Sequence, residues 1–140
     1  MPWKQAYIEL QDRNVHALVD YRFSETAPIA ELPCINWIGL WACEPVIGNN
    51  YIPENEQHKF KKVEMALIEI AGQQAYGWAV GCIRLLSRGI AEFYFYSKDE
   101  ETLAQVVPEL KKQFPEYRAE FKCKRDETWS EYFKYLSAIQ

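Results

Sequence analysis

The most strand-like segment of the chain reads Ile90-Ala91-Glu92-Phe93-Tyr94-Phe95-Tyr96. Most of its residues are β-branched or aromatic, and residues of these types favour an extended strand. The three residues before it, 87–89, end in glycine and are typical of a turn, and the segment from 77 to 86 is strand-like again. Together these segments predict a β-hairpin.

The two faces of this hairpin follow from the alternation of side chains along a strand. Phe93 and Phe95 are expected to face the helices of the domain, so Tyr94 and Tyr96 should lie on the opposite face. On the preceding strand the same rule predicts two aliphatic residues towards the helices and four residues away from them: Ile83 and Leu85, and then Trp78, Val80, Cys82 and Arg84.

A strand and a helix are predicted before the hairpin. Residues 34–43 are rich in Ile and Trp, as expected of a strand. Further on, apolar residues recur at steps of three and four, which is the spacing of one helix face: Phe60, Val63, Leu67 and Ile70. Gly72 is predicted to end this helix.

A helix and a strand are predicted after the hairpin. Ser97 and Glu100 have the spacing of a capping box, which predicts a helix start, and Pro115 predicts the end. Pro108 lies inside this helix and is expected to kink or break it. Residues 118–124 then alternate charged and apolar side chains, as a half-buried strand does.

The order of these elements predicts the fold class. From Cys34 onward it is strand, helix, strand, strand, helix, strand, the split βαβ (βαββαβ) arrangement of ferredoxin-like α+β domains with an antiparallel sheet. Residues 1–140 are expected to form a single domain, in which an N-terminal β-hairpin and loop (1–33) and a C-terminal helix (126–140) are added to the ferredoxin-like core (34–125).

Two sets of large apolar residues are expected to be buried. The first set joins the two long helices to the sheet: Phe60, Val63, Leu67, Ile70, Leu103, Val107, Phe93, Phe95 and Phe121. The second is a stripe on the last helix, which a capping box at residues 128–131 opens: Trp129, Tyr132, Phe133 and Leu136.

Composition favours a soluble globular protein of the cytoplasm. Hydrophobic residues make up 49% and charged residues 26%, and a net charge of −4 supplies no basic footprint for nucleic acid. No signal peptide or membrane span is visible, so no membrane partner is expected. The scattered cysteines form no C-x-x-C pair, which predicts free thiols and no metal site: Cys34, Cys43, Cys82 and Cys123.

The sequence carries no recognisable catalytic motif. It has no P-loop, no G-x-S-x-G and no G-x-G-x-x-G, and its two histidines, His16 and His58, lack neighbours at metal-ligand spacing. Residues 88–95 imitate the RNA-recognition signature, but the two base-stacking positions hold Ile90 and Glu92, and a carboxylate there repels phosphate. We therefore expect no catalytic residue, no cofactor and no nucleic-acid partner.

The aromatic face opposite the two long helices admits two interpretations. It is either the floor on which the last helix lays its apolar stripe, which we favour, or a platform for a ligand. Tyr, Trp and Arg are the residues that most often anchor protein interfaces. Five such residues are therefore predicted to form a partner-binding patch at the edge of this face: Trp37, Trp41, Arg84, Tyr94 and Tyr96.

Three phrases, in this order, resemble the bacterial DUF695 domains: Gly89-Ile90-Ala91-Glu92-Phe93-Tyr94-Phe95-Tyr96, Phe114-Pro115-Glu116-Tyr117-Arg118, and Asp126-Glu127-Thr128-Trp129-Ser130-Glu131-Tyr132 with Leu136. Trp3 and residues 27–33 are also similar. The resemblance implies a ferredoxin-like core and a relation to RraB, a regulator that binds and inhibits ribonuclease E. It implies no catalytic residues.

These observations predict a non-catalytic protein-binding domain, a monomer or weak homodimer, that acts as a stoichiometric inhibitor of a partner protein. A nuclease or toxin is the expected partner, because the resemblance points to an inhibitor of a nuclease and small acidic bacterial domains also serve as immunity proteins. The alternative is an enzyme or a small-ligand-binding domain that uses the aromatic sheet face.

Overall fold

The computed structural model describes residues 3–10, 13–41, 54–75, 79–87 and 89–139. A short 3-10 turn at Tyr21–Phe23 follows the second strand. In this part of the chain the strands and α-helices are β1 (Trp3–Leu10), β2 (Arg13–Asp20), β3 (Cys34–Trp41), α1 (Glu54–Ala75), β4 (Ala79–Ser87), β5 (Ile90–Ser97), α2 (Val106–Gln113), β6 (Arg118–Arg125) and α3 (Ser130–Ile139).

The strands form one six-stranded sheet in the order β1-β2-β4-β5-β3-β6, and every neighbouring pair is antiparallel. The four strands β4-β5-β3-β6, with α1 and α2 between them in sequence, form the predicted ferredoxin-like core. The β1-β2 hairpin extends the sheet beyond β4, because β2 pairs with β4. The predicted α+β fold class is therefore confirmed.

Helices cover the two faces of the sheet differently. The nine residues predicted to form the first core lie together between the sheet and the helices α1 and α2, with Phe121 only partly buried. On the opposite face α3 packs against β1, β2 and β4 and buries Trp129, Tyr132 and Leu136. This arrangement confirms that three residues of the predicted stripe are buried against the sheet, while the fourth, Phe133, is only partly buried.

A β-bulge in β4 overturns part of the predicted face assignment. Gly81 pairs with Phe95, but the next paired residue is Ile83, opposite Tyr94, so Cys82 is an extra residue in the strand. An extra residue reverses the alternation of the side chains that follow it. Ile83 and Leu85 consequently pack under α3, where they were not expected, and Arg84 points to the face that carries α1.

Helix α2 begins later than the capping box predicted. The carboxylate of Asp99 accepts hydrogen bonds from the backbone of Glu101 and Thr102, within a turn region, and the helix starts only at Val106. Pro108 is therefore in the first turn, where a missing N–H leaves no intrahelical bond unmade. The predicted kink at Pro108 is wrong for this reason.

The start of α3 is also capped by a different residue. The Asp126 carboxylate accepts hydrogen bonds from the backbone N–H of Ser130 at 2.9 Å and of Glu131 at 3.1 Å. The predicted capping box at residues 128–131 is thus replaced by an aspartate cap, and Trp129 lies before the helix with a φ of 55°.

Other predicted boundaries shift by a few residues. Helix α1 continues past Gly72, its predicted end, to Ala75. The strand predicted at residues 34–43 ends with residues 42 and 43, which lie outside the described residues, as does Trp78.

Candidate functional site

Among the described residues, α3 packs mainly on β1, β2 and β4, which leaves the α3 face uncovered at the Trp37–Trp41 part of β3 and beside it on β5 and β6. Side chains alternate along β3, so Trp37, Gly39 and Trp41 share this face, while Ile38 and Leu40 point into the core under α1 and α2. Both tryptophans are half-buried. We call the set Trp37, Gly39, Trp41, Glu92, Arg118, Glu120 and Lys122 the tryptophan patch.

Gly39 allows the two indole rings of the patch to lie close to the sheet. The ring centroids of Trp37 and Trp41 are 5.9 Å apart, with the ring planes at 70°. A Cβ atom on Gly39 would lie 2.6 Å from the Trp37 ring and 3.0 Å from the Trp41 ring. Gly39 is buried beneath them, and any larger residue would displace the rings.

Charged side chains from the neighbouring strands hold the two indoles in place. Trp37 Nε1 donates a hydrogen bond of 3.1 Å to Glu92 Oε1, and Lys122 Nζ lies 5.4 Å from the centroid of the same ring. The Arg118 guanidinium lies 4.9 Å from the Trp41 ring centroid. These contacts therefore restrict the orientation of both indole rings.

A groove of about 640 Å³ runs from Trp37 towards α3. Tyr94 lines it and packs against Tyr135 of α3 with a centroid distance of 5.7 Å. Burial, followed by the neighbouring Tyr135, raises the pKa of the Tyr94 hydroxyl well above its ordinary value, so this group stays protonated. Lys122, Lys124 and Glu131 surround the opening with charges.

The structure brings together three of the five predicted partner-binding residues. Trp37, Trp41 and Tyr94 lie on the uncovered part of the α3 face. Tyr96 is fully buried, because its ring stacks on Trp129 of the α3 start at a centroid distance of 3.9 Å. Arg84 lies on the opposite face as a result of the bulge, so neither Tyr96 nor Arg84 can join the patch.

The floor interpretation of the aromatic face holds over one part of it, and the ligand interpretation stays a prediction for the other part. Over Tyr96 and Cys82 it is the floor of α3, and two hydrogen bonds to backbone carbonyls anchor the start of that helix. Trp129 Nε1 donates to the Leu32 carbonyl at 2.9 Å, and the Tyr132 hydroxyl donates to the Asp20 carbonyl at 2.6 Å. Over Trp37 and Trp41, both half-buried, none of the described helices is seen to cover the face.

Sequence reasoning missed the residues that make the patch rigid. Gly39, Glu92 and Lys122 were not predicted to belong to the patch, although the alternation Trp37-x-Gly39-x-Trp41 places a glycine between two indoles on one face of a strand. That spacing was a usable signal. The contacts with Glu92 and Lys122 depend on strand register, which a single sequence does not specify.

The histidine and cysteines described outside the patch have pKa values that are shifted by burial. His16 Nε2 donates a hydrogen bond of 2.8 Å to Gln5 Oε1, the His16 ring stacks on Tyr7, and burial lowers the pKa of His16. The described free thiols, Cys34, Cys82 and Cys123, all have pKa values raised, first of all by burial. Cys43 lies outside the described residues. Across the described ranges, no His, Cys, Asp or Glu cluster suitable for a metal ion occurs.

None of the helices in the described part of the chain has the length and apolar character needed to cross a membrane.

Comparisons with known proteins identify the family and little beyond it. No curated protein matches the sequence. Among solved structures, the chain is similar to a de novo designed protein named Foldit4, at 12% sequence identity and a TM-score of 0.44, with 66% of this chain and 97% of the designed one covered. The profile of DUF695, a family of unknown function, matches residues 2–137. The chain therefore belongs to the DUF695 family.

Proposed function

We propose that this chain is a non-catalytic domain that binds one partner protein through the tryptophan patch and inhibits that partner in a stoichiometric complex. The observation that carries the proposal is the pair of half-buried indoles, Trp37 and Trp41, held over Gly39 on a part of the sheet that no described helix covers.

Tryptophans in such a setting have the properties of interface anchors. A few Trp, Tyr and Arg residues near the centre of an interface supply most of its binding energy, with polar residues around them. Here Glu92 and Lys122 fix the Trp37 ring from two sides. Because the rings are already ordered, little side-chain entropy is lost when a partner binds.

The partner that we propose is a nuclease or a toxin with a basic surface. The resemblance to RraB suggests a nuclease, and the net charge of −4 favours long-range attraction to a basic protein. Within the patch the positive charges of Arg118 and Lys122 are balanced by the negative charges of Glu92 and Glu120. The patch itself therefore contributes aromatic contact to binding, and not long-range attraction. We place this activity in the bacterial cytoplasm, as either a cellular regulator or a toxin-immunity protein.

Affinity capture from the native host with matched variants tests this proposal. The double variant Trp37→Ala/Trp41→Ala removes the anchors, and Tyr7→Ala removes a 72% exposed aromatic residue outside the patch. We expect wild type and Tyr7→Ala to recover the same protein. The affinity of the double variant for that protein should be lower by a factor of roughly thirty or more.

A titration of the recovered partner's activity then tests inhibition. Activity should fall linearly and reach its minimum at one equivalent of this chain, while the chain alone turns over no substrate of the partner. Capture that is equally strong with the double variant would exclude the patch as the contact surface. A partner whose activity is unchanged in the complex would exclude inhibition.

A further inference from the structure

A second opening lies on the other face of the sheet, between α1 and β4. It encloses about 280 Å³, and its apolar wall is formed by residues of the helix and of the two central strands: Leu67, Ile68, Ala71, Ala79, Phe93 and Phe95. We call it the α1–β4 cleft. It shares no helix or tryptophan with the tryptophan patch.

Two glycines border the cleft. Gly72 on α1 lines it, and a Cβ atom on Gly72 would meet no described atom within 4 Å. Gly81 on β4 lines it from the sheet, and a Cβ atom there would lie 3.0 Å from the Phe95 ring, so this ring occupies the space that a side chain at Gly81 would need. Gly72 is therefore the position from which an added side chain can enter the space beside α1 without displacing a described neighbour.

One end of the cleft carries an ordered cluster of charges. Glu64 Oε1 lies 3.0 Å from Arg84 Nη1 and 3.6 Å from Lys61 Nζ, and the Glu64 side chain is only 8% exposed. The Arg84 guanidinium lies 4.1 Å from the centroid of the Trp3 ring, which covers one of its faces. Two cations thus contact one carboxylate, and the three charged groups of this cluster sum to one positive charge; Lys61, which is 65% exposed, lies just outside the lining of the cleft.

The geometry points to a binding site for a small organic acid, with an aromatic or branched aliphatic body in the apolar part of the cleft and its carboxylate against Arg84. An arginine offers five N–H donors in a planar fork that matches a carboxylate. An anionic group balances the excess charge of the cluster, whereas an amine would add a third cation. The exposed Ile68, at 51%, borders the cleft and is covered by such a ligand.

Thermal unfolding of the full chain with defined acids tests this site. Hexanoate, isovalerate and hydrocinnamate are compared with their amides and their amines, at constant pH and ionic strength. A ligand that binds only the folded state raises the melting temperature in a saturable manner. We expect this rise with at least one acid and a weaker or absent rise with its amide and amine. A preference for the amine, or no rise with any of the acids, overturns the proposal.

Variants locate the binding within the cleft. Gly72→Leu puts a side chain into the open space and improves helix propensity, so the protein still folds, and we expect at least a tenfold loss of acid affinity. Arg84→Met should lower the acid affinity roughly tenfold or more, because the charge-assisted hydrogen bond to the carboxylate is lost. Arg84→Lys should keep part of the affinity, because the charged side chain can still donate to the carboxylate. Unliganded melting curves of each variant verify folding. Unchanged affinity in Gly72→Leu excludes the cleft.

The double variant of the tryptophan patch separates the two proposals. Trp37→Ala/Trp41→Ala should bind the acid with wild-type affinity, since the patch and the cleft lie on opposite faces of the sheet. A loss of acid binding in this variant would place the ligand on the patch and overturn the assignment of the cleft.

Discussion

The hydroxyl of Tyr96 donates a 2.6 Å hydrogen bond to the carboxylate of Asp126, and the same carboxylate caps α3. The Tyr96 oxygen in turn accepts the backbone N–H of Tyr132 at 3.2 Å. One carboxylate thus connects the central strand β5 to the first turn of the last helix.

Removal of this carboxylate should destabilise the protein. Asp126→Ala leaves the Tyr96 hydroxyl and two helix N–H groups without their acceptor, and we expect a loss of about 2–3 kcal/mol in the free energy of unfolding. Urea denaturation measures it. Thr128→Ala, at an exposed position two residues on, is the control and should change stability by less than about 0.5 kcal/mol. A larger loss in Thr128→Ala than in Asp126→Ala would contradict the aspartate cap.

The same residue predicts how stability depends on pH. Burial alone would raise the pKa of Asp126, but hydrogen bonds from Tyr96, Ser130 and the Glu131 backbone outweigh burial and hold the pKa below its ordinary value of 3.8. A lowered pKa in the folded state means that the stabilisation is present above the unfolded-state pKa and is lost as pH falls through the folded-state pKa.

Wild type and Asp126→Asn should therefore differ most near neutral pH. We expect the gap between their melting temperatures to shrink as the pH falls below about 4, because wild type loses its charged cap there and the amide does not titrate. Melting curves over an acidic pH series measure the gap. A gap that widens towards low pH would contradict the lowered pKa.

Trp129 should be the most costly tryptophan of the described chain to truncate. Its side chain is fully buried, stacks on Tyr96 and donates a hydrogen bond to Leu32, so Trp129→Ala is expected to cost about 3–5 kcal/mol. Trp41→Ala is the matched control, since Trp41 is only half-buried, and should cost clearly less. Denaturant midpoints decide. A loss below about 1 kcal/mol for Trp129→Ala would mean that α3 is peripheral to the fold.

Gly39→Ala should disturb the two indole rings of the patch while every other residue of the patch stays the same. The new methyl group would overlap the Trp37 ring at 2.6 Å, so the ring has to leave Glu92, at a cost of about 1–3 kcal/mol. A shift of the Trp37 indole N–H resonance reports the broken hydrogen bond, and partner affinity should fall. Gly72→Ala is the control, because its methyl group enters open space. An unchanged Trp37 resonance in Gly39→Ala would contradict the close packing.

Buried thiols should react only when the protein unfolds. Cys82 is fully buried and its pKa is raised well above the ordinary value, first of all by burial, so little thiolate forms and access is blocked.

Thiol titration of the unfolded, unreduced protein should count all four cysteines of the sequence as free. Fewer than four would indicate a disulfide.

The fold could be predicted further than the site could. Alternation along β5 and β6 and the spacing on α1 each indicate an element and the face it buries, so the order of elements was enough for the fold class. The bulge at Cys82 has no such signal, because Val80, Cys82, Ile83 and Leu85 are all apolar and either register buries them. Arg84 was assigned to the wrong face for that reason.

The predicted placement of Tyr96 and Arg84 at the edge of the aromatic face was wrong, because it depends on tertiary contacts. Trp37 and Trp41 could be selected because their residue type and spacing are visible in the sequence. Whether Tyr94 or Tyr96 remains accessible depends on where α3 lies on the sheet. Two long-range hydrogen bonds from Trp129 and Tyr132 to backbone carbonyls fix that position, and no local pattern predicts them.

The anchoring of α3 also affects the order in which the domain can form. Tyr132 and Asp20 are 112 residues apart in sequence, and Trp129 and Leu32 are 97 apart. Closing such long loops costs entropy that is recovered only once the contacts form, so high contact order slows folding. During synthesis the β1-β2 hairpin leaves the ribosome long before its covering helix does. Val15, Ala17 and Val19 therefore stay open to water, or to a chaperone, until α3 has been made.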